Sequence, residues 1–327
     1  MTTIGSLFTG AGALCELAVA PLLGGRVVWH CENDPAACRV LAHRFPGTPN
    51  LGDITAVDWS AVERVGVLAG GFPCTDVSPA GRKAGIEGKH SGLWSYFVDA
   101  IRILRPGLVL VENSSDLLVR GLDRVLADLA ELGFDAEWAV VPAAGVDAPH
   151  RRRRCFIAAA DPAGPGWGSR EPEHVAVDSG VAVRAGQAEL GRRDRPAAAD
   201  ADGDRCPQQP ERHGASPFGA SDHERRRVDS DGRFLGWGPY RPAVERWASV
   251  LGRVAPDPIV TGPRGGRQLN PALSEWMMGW PAGWVTDVPG LTSNEMKRLA
   301  GNGVVTRQAD AAFRHLLPLL SAEGRAA

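Results

Sequence analysis

Up to about residue 160 the apolar positions of this chain fall into two alternating patterns. Residues 65–69 and 108–111 are near-continuous apolar runs, the signature of strands buried on both faces of a parallel sheet. Residues 3–8 and 26–31 read as two further strands. Between and after them, residues 14–23, 35–45, 93–104 and 122–132 carry apolar side chains at helical spacing. A tight glycine turn, Thr9-Gly10-Ala11-Gly12-Ala13, links the first strand to the first helix. Alternation of strand, loop and helix predicts a doubly wound α/β sheet.

After Ala160 the pattern breaks. Residues 161–234 are poor in aliphatic runs and heavy in Gly, Pro, Asp, Ala and Arg, as expected of a loop-dominated region rather than a core. Helical spacing returns at 240–251 and 271–278. The chain closes with a Gly301-Asn302-Gly303 turn and an amphipathic helix over 304–320. Residues 1–160 are therefore expected to form an α/β domain.

Composition narrows the picture only a little. The net charge of −2 gives no general signal for a polyanionic partner, but the cations are unevenly placed. Lys83, Lys89 and Lys297 are the only lysines, and arginines cluster at 151–154, 192–195 and 225–227. Six cysteines without a Cys-x-x-Cys pair suit a reducing cytoplasm and predict neither a metal site nor a disulfide scaffold. No basic leader precedes the first strand, and no apolar stretch is long enough to span a membrane, so neither export nor membrane attachment is expected.

The residues that carry chemistry gather at the carboxyl ends of the predicted strands, where ligands bind in such sheets. The glycine turn at 9–13 lets backbone approach a ligand closely. Some twenty residues on, Glu32 ends the second strand, where an acid can hold ribose hydroxyls. Asp53 in Leu51-Gly52-Asp53-Ile54 stands at an expected third strand edge and could accept from an adenine amino group; a turn or helix cap is the plainer reading of an isolated Asp. Gly71-Phe72-Pro73-Cys74 follows the apolar run at 65–69 and puts a thiol at the polar exit of a strand. The run at 108–111 delivers Glu112-Asn113 to the same edge. A thiol nucleophile beside a carboxylic acid can attack a ring and share a proton with a ring nitrogen.

These segments, in this order, resemble the cytosine-C5 DNA methyltransferases over nearly the whole chain. Leu7-Phe8-Thr9-Gly10-Ala11-Gly12 resembles the family's first motif, Glu32 and Asp53 its second and third. Gly71-Phe72-Pro73-Cys74-Thr75-Asp76-Val77-Ser78 is similar to its catalytic motif, and Val111-Glu112-Asn113 to its Glu-Asn-Val motif. His150-Arg151-Arg152-Arg153-Arg154 resembles the Gln-x-Arg-x-Arg motif. The segment from Arg267 to Gly279 is similar to the ninth motif, and Gly301-Asn302-Gly303-Val304-Val305 to the tenth. Ala13, Ser114 and His150 depart from the usual residues without removing a reactive group.

The resemblance implies a Rossmann-like doubly wound catalytic domain of residues 1–160 with 289–327, a smaller, irregular domain of 161–288, S-adenosyl-L-methionine as cofactor, and double-stranded DNA as substrate for a monomeric enzyme. It leaves open whether a cognate restriction endonuclease exists as partner. Cys74 would add to C6 of a flipped-out cytosine while Glu112 stabilises protonated N3, with Arg152 and Arg154 holding base and carboxylate in register. Phe8, Gly10, Gly12, Glu32, Asp53, Pro73, Leu93, Asn302 and Val304 would form the cofactor pocket. Ser78, Arg82, Lys83 and Lys89 would meet DNA from a glycine-hinged loop, and 161–288 would recognise the target sequence. Two rival readings remain: an RNA (tRNA) cytosine-C5 methyltransferase, and a non-catalytic DNA-binding protein of the same fold. Methyl transfer to duplex DNA or to tRNA separates them. The recognised bases are not legible.

Overall fold

Among the described residues, four parallel strands form one side of a seven-stranded sheet: β1 (Thr2–Leu7), β2 (Gly25–Cys31), β3 (Val67–Gly70) and β4 (Leu108–Ser114). They are followed along the chain by β5 (Asp135–Pro142), β6 (Arg153–Ala160) and the two-residue β7 (Arg184–Ala185). Their spatial order is β2-β1-β3-β4-β6-β5-β7. The structure is a computed structural model, and it describes residues 1–73, 92–163, 184–185, 236–262 and 265–320. Cys74, Ser78, Arg82, Lys83 and Lys89, the arginine clusters at 192–195 and 225–227, and most of 161–234 lie outside the described residues.

The doubly wound α/β sheet expected from the pattern is present, with one addition. β6 lies antiparallel between β4 and β5. The link 143–152 is too short for a crossover helix, so the chain leaving β5 has to turn straight back.

Helices cover both faces of the sheet. The expected helix over 14–23 is a wide π turn at Cys15–Val19 followed by α1 (Ala20–Leu23). Pro21 lacks the N–H that would have continued a regular ladder across the junction. α2 (Pro35–Arg44) starts at Asp34, whose side chain accepts from the Ala36 and Ala37 amides. α3 (Leu93–Leu104), the short α4 (Leu117–Arg120) and α5 (Leu122–Glu131) follow. Later come α6 (Arg241–Leu251), the hairpin β8 (Ile259–Thr261) and β9 (Arg267–Leu269), and α7 (Pro271–Met277). α8 (Ser293–Asn302) is opened by a reciprocal Thr292/Glu295 capping box, and α9 (Thr306–Leu319) ends the described chain. Gly301 and Asn302, expected in a free turn, form the last turn of α8.

Side-chain alternation splits the core into two layers. Leu7, Leu68, Val109 and Val111 face α3 and α5 through Phe97, Ile101, Val125 and Leu129. Ile4, Val67, Leu108 and Leu110 face the opposite layer, with Trp276, Trp280, Phe313 and Leu316. On α9 the buried Ala309, Ala312, Phe313, Leu316 and Leu317 recur at the spacing of one helical face.

The C-terminal segment is tied to the glycine turn by polar contacts within this second layer. Trp284 Nε1 donates to the Ala11 carbonyl (2.8 Å), while Arg44 donates to the Trp284 and Gly283 carbonyls. Packing therefore runs across residue 289 without a break. Glu275 is 2% exposed, and its carboxylate accepts from the backbone amides of Gly283, Val285 and Thr286 (2.6–3.2 Å). Glu275→Ala strands those amides in the core. It should lower the unfolding free energy by roughly 2–4 kcal/mol in urea titration; an unchanged midpoint would contradict this role.

Candidate active site

The carboxyl ends of β1 to β4 open into one cavity of about 520 Å³. Phe8, Gly10, Glu32, Asp53, Pro73, Leu93, Glu112, Arg154, Asn302 and Val304 all line it. Among the described residues assigned from sequence, Gly12 and Arg152 stand outside the lining.

At one end the turn after β1 sets the geometry. Gly10 and Gly12 have φ of +57° and +83°, which only glycine adopts freely. Phe8 also takes a left-handed conformation (φ 49°), uncommon for a bulky residue and a form of strain found at functional sites. The Thr9 hydroxyl donates to the Ser6 carbonyl and accepts from the Cys31 amide, locking the ends of β1 and β2 together. Glu32, the residue after β2, accepts from the Gly10 amide through Oε2 and from the Asp34 amide through Oε1, each at 2.7 Å. Asp53 caps a short 3₁₀ turn, accepting from Thr55 and Asn33. Hydrogen bonds from the Thr55 amide and hydroxyl, then from Asn33, hold its carboxyl below the usual range. In place of the expected third strand edge there is a single bridge, His30 to Asn50.

At the other end a carboxylate is buried against an arginine. Glu112 lies near the end of β4, and Arg154 Nε stands 2.8 Å from its Oε1. The N–H is not well aimed, so this buried oxygen has a charge partner and no aligned donor. Burial pushes the Glu112 carboxyl up, opposed by the Arg154 and Arg152 charges. The chain leaving β3 passes directly beside this pair. A Cβ at Gly71 would lie 2.9 Å from Glu112 Oε2, so the backbone approaches as closely as it does only because residue 71 is glycine. Asn113, buried, donates to the Phe72 carbonyl (3.1 Å), and Pro73 is the last described residue before Cys74.

Residues 2–165, half of the chain, match the C-5 cytosine-specific DNA methylase family. The chain belongs to this family. Type II methyltransferase M2.BsuMI of Bacillus subtilis (strain 168) is 33% identical over 47% of this chain and 41% of its own length. M.Eco47II of Escherichia coli is 34% identical over 48% of this chain and 39% of its own length. M.CviJI of Paramecium bursaria Chlorella virus IL3A is 34% identical over 39% of this chain and 35% of its own length. The chain thus spans about two fifths of the length of the curated relatives it matches.

In this chain the two motif arginines have different partners. Arg154 faces Glu112, whereas Arg152 donates to the Gly301 and Gly303 carbonyls (2.5 and 2.6 Å). There it caps the carboxyl end of α8, where a cation offsets the helix dipole. Its charge still reaches Glu112. His150 contacts the Met277 carbonyl (3.3 Å), and burial lowers its pKa. Gln308, fully buried on α9, donates to the Val141 and Arg152 carbonyls and fixes the start of β6. No local sequence signal marks Gln308, because its partners lie over 150 residues away. Among the described residues no helix is long and apolar enough to cross a membrane.

Removing Arg154 withdraws the main influence favouring ionised Glu112, so the Glu112 pKa must rise. Carbon-13 NMR of labelled glutamates, assigned with Glu112→Gln, should show it titrating above the usual carboxylate range, and higher still in Arg154→Met. A fall in that variant would contradict the pairing.

Proposed function

We propose that this chain is a DNA cytosine-C5 methyltransferase acting through a covalent Cys74 adduct. The observation that carries the reading is the largely buried Glu112–Arg154 pair beside Gly71-Phe72-Pro73, the stem that leads into Cys74, in the same cavity as a nucleoside-type site. The three relatives named above, each a Type II methyltransferase, support the reaction class.

The residues present fit S-adenosyl-L-methionine. Glu32 at the end of β2 suits ribose hydroxyls, Asp53 an adenine amino group, and Phe8 and Leu93 the faces of the base, with Asn302 and Val304 closing the far wall. When bound, that cofactor supplies an electrophilic methyl group. A cytosine ring has to leave the duplex to enter such a cavity. Cys74 as thiolate adds to C6, and Glu112 stabilises the proton at N3, which leaves C5 electron-rich. A carboxyl raised by burial and still paired to Arg154 is suited to share that proton. Once C5 is methylated, loss of its proton and elimination across C5–C6 free Cys74.

Ser78, Arg82, Lys83 and Lys89 are proposed phosphate contacts, and residues 161–288 the target-recognition unit. M2.BsuMI and its fellow Type II enzymes suggest a restriction-modification setting with a cognate endonuclease.

Cys74→Ser should abolish transfer of labelled methyl groups to duplex DNA while cofactor binding persists, because a serine hydroxyl is a far weaker nucleophile at neutral pH. Substantial turnover by that variant would overturn the covalent route, and transfer to tRNA in place of DNA would overturn the substrate. Glu32→Ala and Asp53→Ala should each weaken cofactor binding by about 1–3 kcal/mol in calorimetry. Unchanged affinity in both would remove the pocket from the account.

A further inference from the structure

We infer that Asn50, which stands in none of the sequence motifs, is a positioning residue that holds Glu32 in its ribose-binding geometry; the inference rests on the cofactor reading above. The regular ladder of β2 stops at Cys31. Beside it the strand partner is only one bridge long: His30 N donates to the Pro49 carbonyl (2.9 Å) and Leu51 N to the His30 carbonyl (2.8 Å). Glu32 would be left with an unpaired N–H and C=O at the rim of the cavity. The Asn50 side chain takes both. Its Oδ1 accepts from Glu32 N and its Nδ2 donates to Glu32 O, each at 3.0 Å. One side-chain amide thus replaces a missing strand residue, and only Asn or Gln offers donor and acceptor together in that form.

The same Oδ1 accepts from Gly52 N (3.2 Å), next to Asp53. The Asp53 carboxylate itself is held separately, by Thr55 and Asn33. Two thiols approach the same backbone, Cys31 Sγ at the Gly52 carbonyl (3.3 Å) and Cys38 Sγ at the Glu32 carbonyl (3.2 Å). Sulfur is a weak donor and leaves the Glu32 N–H unserved. With the backbone pinned, the Glu32 carboxylate stays directed by the Gly10 and Asp34 amides. Without Asn50, the Glu32 peptide is free to swing and the carboxylate loses its fixed aim.

An aspartate at 50 would not serve. It would set an oxygen against the Glu32 carbonyl and add a carboxylate to Glu32, Asp34 and Asp53.

The experiment compares Asn50→Ala with the wild-type full chain by calorimetry, using S-adenosylhomocysteine and its 2′,3′-dideoxy analogue. Asn50→Ala should bind S-adenosylhomocysteine about tenfold more weakly, as expected for lost aim of one hydrogen-bonded acid. It should bind the dideoxy analogue as the wild type does, since that ligand has no hydroxyls for Glu32 to hold. In turnover, the KM for S-adenosylmethionine should rise in step with the binding loss. Asn50→Ser, too short to span the Glu32 peptide, should repeat the split. Wild-type affinity for S-adenosylhomocysteine in the variants, or equal losses on both ligands, overturns the inference. So does loss of folding in both variants, which would make Asn50 structural. Failure of the wild type to bind S-adenosylhomocysteine overturns instead the cofactor reading on which it stands.

Discussion

A carboxylate taken out of water at the edge of a sheet is the constraint around which this site is built. Burying Glu112 is costly unless a cation meets it. The cation comes from β6, and the antiparallel register decides which residue supplies it. Ser114 lies opposite Arg154 and Glu112 opposite Phe156, so Glu112 and Arg154 are diagonal neighbours on one face. A one-residue slip of β6 would turn Arg154 to the other face and leave Glu112 alone. The short link from β5, which forces β6 to run back, is therefore part of the chemistry as well as of the topology. Gly71 and Asn113 belong to the same arrangement, because both bring the stem of the Cys74 segment against that carboxylate.

The chain closes around this centre from its far end. Arg152 grips the end of α8, Trp280 Nε1 donates to the Val304 carbonyl, and Trp284 reaches the Ala11 carbonyl in the glycine turn. Ion pairs from Arg39 to Glu295 and from Arg298 to Asp34 join α2 to α8. Residues near 300 are thus held against residues near 10 and 35 by backbone carbonyls and charges, and Asn302 and Val304 take their place in the cavity wall as a result.

Much of this was legible in the chain. Continuous apolar runs located the parallel strands, and the glycine turn, Glu32 and Glu112 stood at their ends as strand-exit residues should. Periodicity could not show that β6 runs antiparallel, since direction is set by link length and not by the strand itself. Nor could it separate the two arginines. Arg152 and Arg154 share a face and a residue type, and only the packing of α8 decides that one caps a helix while the other meets Glu112. The strand expected at Asp53 is one bridge long, and the Asn50 side chain, not a further backbone residue, meets the Glu32 N–H and C=O. A side chain imitating backbone leaves no trace in a hydrophobic pattern.

The central claim is that the segment leaving β3 presents the Cys74 thiol to a cytosine held at Glu112 and Arg154. A pool of DNA duplexes carrying 5-fluorocytosine in place of cytosine tests it most directly, because fluorine at C5 cannot leave as a proton and the adduct persists. Incubation with S-adenosylmethionine, followed by trypsin and mass spectrometry, should find methylated 5-fluorocytosine joined to the tryptic peptide 65–82, at Cys74. No adduct, or an adduct on any other cysteine, would contradict the account.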